Sequence, residues 1–326
     1  MKAIAISRPG GPEVLETVER EKPSPGAGEI LVRVEAIGLN RPDVQQRRGL
    51  YPPPPDASDL PGLDIAGVIE AVGDGVDASR IGERVCALAN GGGYAEFCAV
   101  PAVQAMPIPK GLGAVEGASL PEVFFTAWNN VVWLGRLARG ERLLVQGGTS
   151  GVGIAALQIA RHLFDAETYA TAGSEEKREV CRMLGASAAV DYHDGDWPEQ
   201  VRTAAGGKGM DVILDGQAGP YTQKQLDLLD YDGRLVLIAS HLGETCEVNA
   251  RQLVRRRLTL CGSTLRPRPA VYKGRIAAEL VRDVWPLIEA GAIVTRIHKV
   301  FAFDQMREAH AVLDRNEQIG KVVVTV

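Results

Sequence analysis

Cysteine is sparse in this chain, and its spacing forms no pairs. The 326 residues hold five, at positions 86, 98, 181, 246 and 261, and no two stand as Cys-x-x-Cys. That argues against a disulfide-framed scaffold and a structural zinc lobe, and it fits a reducing compartment. No run approaches the ~20 apolar residues a membrane helix needs. The opening MKAIAISRPGG holds no apolar stretch of the secretion type. A cytoplasmic protein with no membrane partner is the expectation. A basic surplus is also missing, because 36 Lys and Arg stand against 41 Asp and Glu, a net charge of −5. The Arg255-Arg256-Arg257 run is short and flanked by strand-like residues, so nucleic acid is not an expected partner.

The chain contains two different grammars. Its first ~120 residues read as short strands broken by turns. Ile30–Leu39 and Ile65–Gly73 have strand patterning, and the RRGLYPPPPDASDLPG stretch between them is too rich in proline for helix or central strand. An antiparallel, barrel-like module is expected there. From about Pro121 strands alternate with helices. The strands are expected at Arg142–Gln146, Thr168–Ala172, Ala188–Asp191, Met210–Asp215, Arg234–Ala239 and Leu258–Leu265. Helices are expected from the glycines to about Leu163, at Glu175–Leu184 and at Leu280–Gly291. Such alternation means a doubly wound parallel sheet. The last strand, Gly320–Val326, is expected to rejoin the first module. The predicted fold is therefore α/β, with 1–120 plus 270–326 as one domain and 121–269 as the other.

Between the first two elements of the second domain runs Gly148-Thr149-Ser150-Gly151-Val152-Gly153. This is the spacing of Gly-x-Gly-x-x-Gly with serine at the middle glycine. A strand before it and a helix after it make it a dinucleotide-binding turn. Gly148 permits the tight turn, Ser150 and Gly151 let backbone amides approach a pyrophosphate, and Gly153 lets the helix pack on the sheet. The next strand ends Gly173-Ser174-Glu175-Glu176-Lys177 with no carboxylate at its tip, where an NAD enzyme places an acid on the ribose 2′-hydroxyl. Gly173 leaves room for a 2′-phosphate, Ser174 offers a hydroxyl, Lys177 a cation and Tyr192 a phenol. NADPH is the expected cofactor. The plainer roles are a helix cap for Ser174 and a solvated helix face for Lys177.

GLNRPDVQQRRGLYP, PGLDIAGVIEAVG, GGGYAEFCAVP, GGTSGVGIAALQIA, TAGSEEK, LTLCGSTLRPR and IGKVVVTV together resemble the medium-chain dehydrogenase/reductase superfamily. The resemblance lies in its zinc-free quinone oxidoreductase branch and covers nearly the whole chain. GSTLRPR and TAGSEEK are similar to its p53-inducible subfamily. The resemblance implies a GroES-like β-barrel module plus a Rossmann domain. It also implies a homodimer paired through the LTLCGSTL strand. Zinc-dependent relatives have cysteine, histidine and cysteine ligands where this chain has Asn40, Leu63 and Glu122, so no metal is expected.

On the same grounds Asn40, Asp43 and Tyr51 are expected to line a cleft between the domains and bind the substrate. The loops Leu50–Leu60 and Gly91–Gly93 shape its mouth. The substrate would be a quinone, or an activated alkene as in enoyl and alkenal reductases. A non-catalytic NADPH-binding protein is a third reading. Asn40 also faces the cofactor, with Thr126, Gln217, Ser240, His241, Leu265, Asn316 and Lys321. Asn40 carries the expectation of an amide hydrogen bond to a substrate carbonyl. No general acid is assigned, and protons come from solvent. Plainer roles exist here too: Asn40 as a turn residue, Tyr51 as loop packing, Asp43 as a helix-entry residue and His241 as a loop residue. The resemblance implies a Val-Gly-Gly ending in the stretch that here reads Asp215-Gly216-Gln217-Ala218-Gly219, and Gln217 and Ala218 depart from it. Short-chain reductases are excluded, because none of the seven tyrosines has lysine four residues on.

Lys177→Glu is expected to weaken NADPH about 10- to 100-fold, the worth of one charge-assisted hydrogen bond, and to leave NADH nearly unchanged. Dissociation constants for both nucleotides check it, and an unchanged preference refutes the assignment.

Overall fold

The structure is a computed structural model that describes residues 1–55 and 57–326. Position 56, within the expected mouth loop 50–60, lies outside the described residues. The chain divides into two compact units, Met1–Phe125 with Leu265–Val326, and Thr126–Thr264.

In the first unit β1 (Lys2–Ile6) and β2 (Leu15–Glu19) form an antiparallel pair. β3 (Glu29–Leu39), β4 (Asp64–Val72), β5 (Arg84–Leu88), β6 (Phe97–Pro101) and β7 (Ala105–Pro107) follow. β3 is long, and its apolar residues are buried along most of its length, because β4 covers one edge and β6 the other. The β3–β4 register slips at Leu31/Val32 and again at Val34/Ala36. Such slips bend a strand and help a sheet curl. Gly67 sits at the second slip, where a Cβ would run into the Arg33 carbonyl. Ile30, Val32, Ile37, Ile65, Ile69, Val85 and Val100 fill the core inside this curl. Each such side chain contributes ~1.5–3 kcal/mol on leaving water.

The second unit is a six-stranded parallel sheet of β8 (Arg142–Val145), β9 (Glu167–Thr171), β10 (Ala188–Val190), β11 (Met210–Asp215), β12 (Leu229–Leu237) and β13 (Thr259–Gly262). Its order is β10-β9-β8-β11-β12-β13. Numbered within the unit that is 3-2-1-4-5-6, the dinucleotide-fold order, with its switch point between β8 and β11. The expected Leu258–Leu265 strand is shorter than predicted. Its ladder with β12 ends at Leu237–Gly262, and Ser263 turns aside to hydrogen-bond the Asn130 side chain at 2.6 Å.

Helical segments that escaped the sequence reading include Pro121–Ala127, the π-helix Trp128–Leu134, Ala250–Arg256, which carries Arg255 and Arg256 at its end, and Met306–Asp314. The predicted Leu280–Gly291 helix is instead Ala270–Asp283 followed by Trp285–Glu289. Pro286 explains the break, since proline removes an amide donor and sits only in a first turn.

β14 (Ile297–Ala302) and β15 (Lys321–Thr325) return to the first unit. β15 pairs antiparallel with β3, from Val322–Leu39 to Thr325–Ala36, and completes a seven-stranded sheet among the described residues. Among those residues no helix is long and apolar enough to cross a membrane.

Gly320 sets the entry of β15. Its φ is +83°, and a Cβ there would overlap the Arg296 carbonyl oxygen, which accepts the Lys321 amide at 2.8 Å. Gly320→Ala is expected to destabilise the protein by at least ~2 kcal/mol in urea unfolding. Unchanged stability would contradict this backbone path.

Candidate functional site

The glycine turn of the second unit is built from the strand outward. Gly147 and Gly148 donate their amides to Thr171, to its Oγ1 at 3.1 Å and its carbonyl at 2.9 Å. Thr171 Oγ1 in turn donates to Gln146 Oε1 at 2.7 Å. These bonds lock the turn to the end of β9. A Cβ at Gly148 would lie 2.7 Å from Ala170 Cβ and Cys181 Sγ, and one at Gly153 2.6 Å from the Gly147 carbonyl. Both positions therefore demand glycine. The helix Gly151–Phe164 starts directly after, with Ser150 Oγ accepting the Gly153 amide at 3.0 Å. The Gly151 and Val152 amides stand in the first turn, where a helix has no internal acceptor for them. Helix dipole and amides together make an anion seat. Thr149 is buried beside them.

At the tip of β9, Gly173 and Tyr192 meet. A Cβ on Gly173 would lie 2.7 Å from Tyr192 Cζ and 2.8 Å from His193 Cε1. The space expected for a phosphate on the Cβ side of Gly173 is instead taken by the Tyr192 phenol and the His193 ring, so Gly173 serves their close approach. Ser174 caps the helix Glu175–Met183 by accepting the Lys177 amide at 3.3 Å. Glu175, which sequence alone counts against a phosphate, is engaged by Arg178 at 2.9 Å and by Arg182. Those two guanidiniums hold its carboxyl below the usual range. Lys177 is half-buried, and desolvation lowers its ammonium pKa.

Sequence reasoning missed Asp215. Its Oδ1 accepts the Gln217 amide at 2.7 Å, and its Oδ2 accepts the Ala218 amide at 2.8 Å and Gln225 Nε2 at 2.9 Å. Burial raises its pKa. The clamped loop pairs with the next one: His241 donates its amide to the Gly216 carbonyl at 3.2 Å, and Leu242 to Gln217 at 2.9 Å. Ser240 and His241 are exposed there, and Gln217, Thr126 and Leu265 are half-buried in their own units.

In the first unit a buried polar knot joins the ends of β3, β4 and β15. The Lys321 ammonium is 5% exposed and donates to Asp64 Oδ2 at 2.8 Å and Asn40 Oδ1 at 2.5 Å. An ammonium has only donors, so it fixes the Asn40 amide with oxygen toward it. Asn40 Nδ2 then donates to Asp64 Oδ2 at 2.9 Å and the Gly38 carbonyl at 3.2 Å. Both amide hydrogens are committed, so the expected donation to a substrate carbonyl has no hydrogen left. Asp64 Oδ1 accepts the Glu122 amide at 2.6 Å. Asp43 accepts the Asn40 amide at 2.8 Å and the Gly62 amide at 3.2 Å, closing the capping box of the helix Arg41–Arg47.

A second arm of this knot has a fixed direction. Arg47 Nη1 lies 3.2 Å from His310 Nδ1, and His310 Nε2 lies 2.9 Å from the Tyr94 hydroxyl. Arg47 can only donate, so neutral His310 carries its proton on Nε2 and donates to Tyr94. The Tyr94 hydroxyl hydrogen is left for Asp43, whose carboxylate interacts with it. Burial pushes the His310 pKa down to about 3, which keeps it neutral. His310, Arg47 and Tyr94 carried no functional signal in sequence. The clue was Asp64, a carboxylate opening the strand directly before the apolar run Ile65–Ile69. Tyr51 is half-buried, with the Arg266 guanidinium 5.6 Å from its ring centroid. Asn316 is exposed at φ +54° beside Arg41.

Zinc does not fit these residues. Leu63 has no donor atom, Asn40 is a poor ligand, and Lys321 brings a positive charge onto Asp64. Among the described residues no group of three His, Cys, Asp or Glu could hold a metal. A dinucleotide does fit, because the Gly151 and Val152 amides stand in the first turn of the helix that follows the tightly packed glycine turn.

Fold and turn together define a nicotinamide-nucleotide oxidoreductase with a GroES-like domain and a Rossmann-like domain. Residues 26–110 match the alcohol dehydrogenase GroES-like domain and residues 151–281 the zinc-binding dehydrogenase family. Quinone oxidoreductase of Rattus norvegicus is 32% identical over 99% of this chain and 97% of its own. A mycobacterial protein solved in complex with NADPH is 29% identical with a TM-score of 0.88, covering all of both chains. The JamJ enoyl reductase is 27% identical with a TM-score of 0.87, over 99% of this chain and 98% of its own. The chain belongs to the medium-chain dehydrogenase/reductase family, in its quinone oxidoreductase/VAT-1 branch.

Burial raises the Asp43 carboxyl to about 6, against the pull of the Asn40 amide and Lys321. A folded pKa above the unfolded one gives stability that is full below ~3.9 and lost as pH rises through the folded value. The stability of the protein minus that of Asp43→Asn is therefore expected to fall by about 2 kcal/mol between pH 4 and pH 7. Urea titrations across that range measure it, and a flat difference rejects the buried titration.

Proposed function

We propose that this protein is an NADPH-dependent quinone oxidoreductase that works without zinc, close in type to the p53-inducible subfamily. The observation that carries the reading is the amide-lined turn at Gly148–Gly153, placed at the switch point of the sheet. Bound there, NADPH supplies the hydride. The Gly151 and Val152 amides and the helix dipole hold the diphosphate. Lys177, Ser174 and Tyr192 hold the 2′-phosphate, and Gly173 lets Tyr192 approach. Gln217, Ser240, His241 and Leu265 border the rest of the nucleotide, with Thr126 toward the nicotinamide.

From the first unit, Tyr51 supplies a ring face for a planar acceptor. Asn40 and Lys321 act through the knot, which fixes the position of Asp43. A quinone is electrophile enough to need no Lewis acid, so positioning and exclusion of water are the work left to the protein. The proton that follows the hydride comes from solvent. β13, the edge strand of its sheet, is where a second copy would pair in a homodimer.

A second reading, reduction of an activated C=C bond, is favoured by the likeness to the JamJ enoyl reductase. NADPH oxidation with 1,2-naphthoquinone, 1,4-benzoquinone and an alkenal, side by side, separates the two. Both quinones are expected to turn over at least about tenfold faster, in kcat/KM, than the alkenal. The reverse order supports the alkene reading. No turnover with any acceptor, alongside tight NADPH binding, leaves a nucleotide-binding protein.

A further inference from the structure

A buried arginine normally meets a carboxylate. Arg266 does not. It is 7% exposed and forms no salt bridge among the described residues. Its Nε donates to the Asn90 carbonyl at 2.8 Å and its Nη1 to Gln46 Oε1 at 2.9 Å. Its Nη2 is buried with no hydrogen-bond partner among the described residues. Both of these hydrogen-bond partners are neutral, and no carboxylate of the described residues touches the guanidinium. Desolvation lowers the guanidinium pKa, with Asp43 and Tyr51 acting against it.

The surroundings hold that fork in place. Lys273 is fully buried and donates to Asn90 Oδ1 at 2.5 Å and to the Arg266 carbonyl at 3.1 Å, pinning both sides of the guanidinium's mooring. Gly91 lets the loop backbone approach Nη2 without a side chain between them. At φ +144° a Cβ there would lie 3.2 Å from Nη2 and 3.0 Å from the Ser58 carbonyl. The ring of Tyr51 lies beside the same guanidinium. A purely structural staple between Gln46 and Asn90 needs only Nε and Nη1. Leaving a third donor unmatched is a cost that a staple does not require.

We propose that Arg266 is a specificity residue whose Nη2 donates to an oxygen on the planar ring of the acceptor, with Tyr51 as the surface under that ring. This rests on the reading of an oxygen-bearing planar acceptor. It predicts a preference for acceptors whose ring oxygen carries negative charge, since guanidinium bonds to oxyanions are about twice as strong as neutral ones.

The test uses full-length protein saturated with NADP⁺ and two probes: neutral 1,4-naphthoquinone, and 2-hydroxy-1,4-naphthoquinone, an anion at neutral pH. Calorimetry is expected to show the anion binding more tightly. Arg266→Gln is expected to weaken the anion about 10- to 100-fold and the neutral probe less, at an unchanged NADPH dissociation constant. With NADPH, KM for 1,4-naphthoquinone rises while kcat holds within about twofold. Arg266→Lys keeps part of the anion's advantage. If Arg266→Gln does not fold, the affinity ratio of the two probes on Arg266→Lys decides, and a ratio equal to that of the parent protein overturns the proposal. Equal losses for both probes, or no binding of the anion by the parent protein, overturn it as well. Probe binding that depends on Arg266, in a protein that reduces no quinone, rejects the proposed reaction and leaves this site standing.

Discussion

An ammonium taken out of water loses several kcal/mol of hydration, and only well-placed acceptors offset the loss. Lys321 is the case on which the first unit turns. Its charge meets Asp64 and Asn40, and the demands pass outward from there. Asp64 spends its second oxygen on the Glu122 amide, and Asn40 spends its backbone amide on Asp43. Asp43 uses its other oxygen on Gly62. One lysine thereby ties β15 to the ends of β3 and β4, to the helix Arg41–Arg47 and to the start of Pro121–Ala127. Each link is a buried polar group that would be costly to leave unmatched. The knot is cooperative for that reason: removing any member strands the rest.

The same knot bears on chemistry. Where metal-dependent relatives are expected to place a Lewis acid, this chain holds a fixed ammonium already paired with carboxylate and amide. Such a charge is satisfied by its neighbours and has little polarising power left for a carbonyl. The proposed acceptors, a quinone or a conjugated alkene, are reactive in their own right and need no such polarisation. The His310 arm adds rigidity. Because Arg47 can only donate, every hydrogen bond from Arg47 through His310 and Tyr94 runs toward Asp43. A chain with one allowed direction has one arrangement of protons, and it holds the Asn40–Asp43 corner still.

Much of this was legible before any coordinates. The alternation after Pro121 marks the parallel sheet, since buried strands and amphipathic helices have different periods. The spacing from Gly148 to Gly153 marks the turn, because only glycine tolerates the close packing found there. Capping roles for Ser174 and Asp43 were also readable, as short polar side chains at helix starts. What sequence could not supply was long-range pairing. Lys321 and Asp64 are separated by 257 residues, and Arg47 and His310 by 263. No local pattern encodes such contacts. Helix limits near Pro269 and Pro286 slipped for a related reason. Periodicity locates an apolar face, but the ends depend on which amides still find acceptors.

The loop after β11 shows how local chemistry can replace a residue type. A left-handed backbone is ordinarily met with glycine. This chain has Ala218 at φ +53°, a conformation that costs a side chain ~1–2 kcal/mol. Asp215 offsets that cost by accepting two successive backbone amides, those of Gln217 and Ala218, from below. Gln225 satisfies the carboxylate further, so its charge is not left bare in the sheet. Gly219 follows at φ +52°, and the loop then pairs with Leu242 and Gly243. The path of the backbone is thus held by a buried carboxylate instead of by glycine's freedom. Departure from the family pattern at Gln217 and Ala218 therefore changes which side chains border the loop, while leaving in place the backbone that a nucleotide would meet.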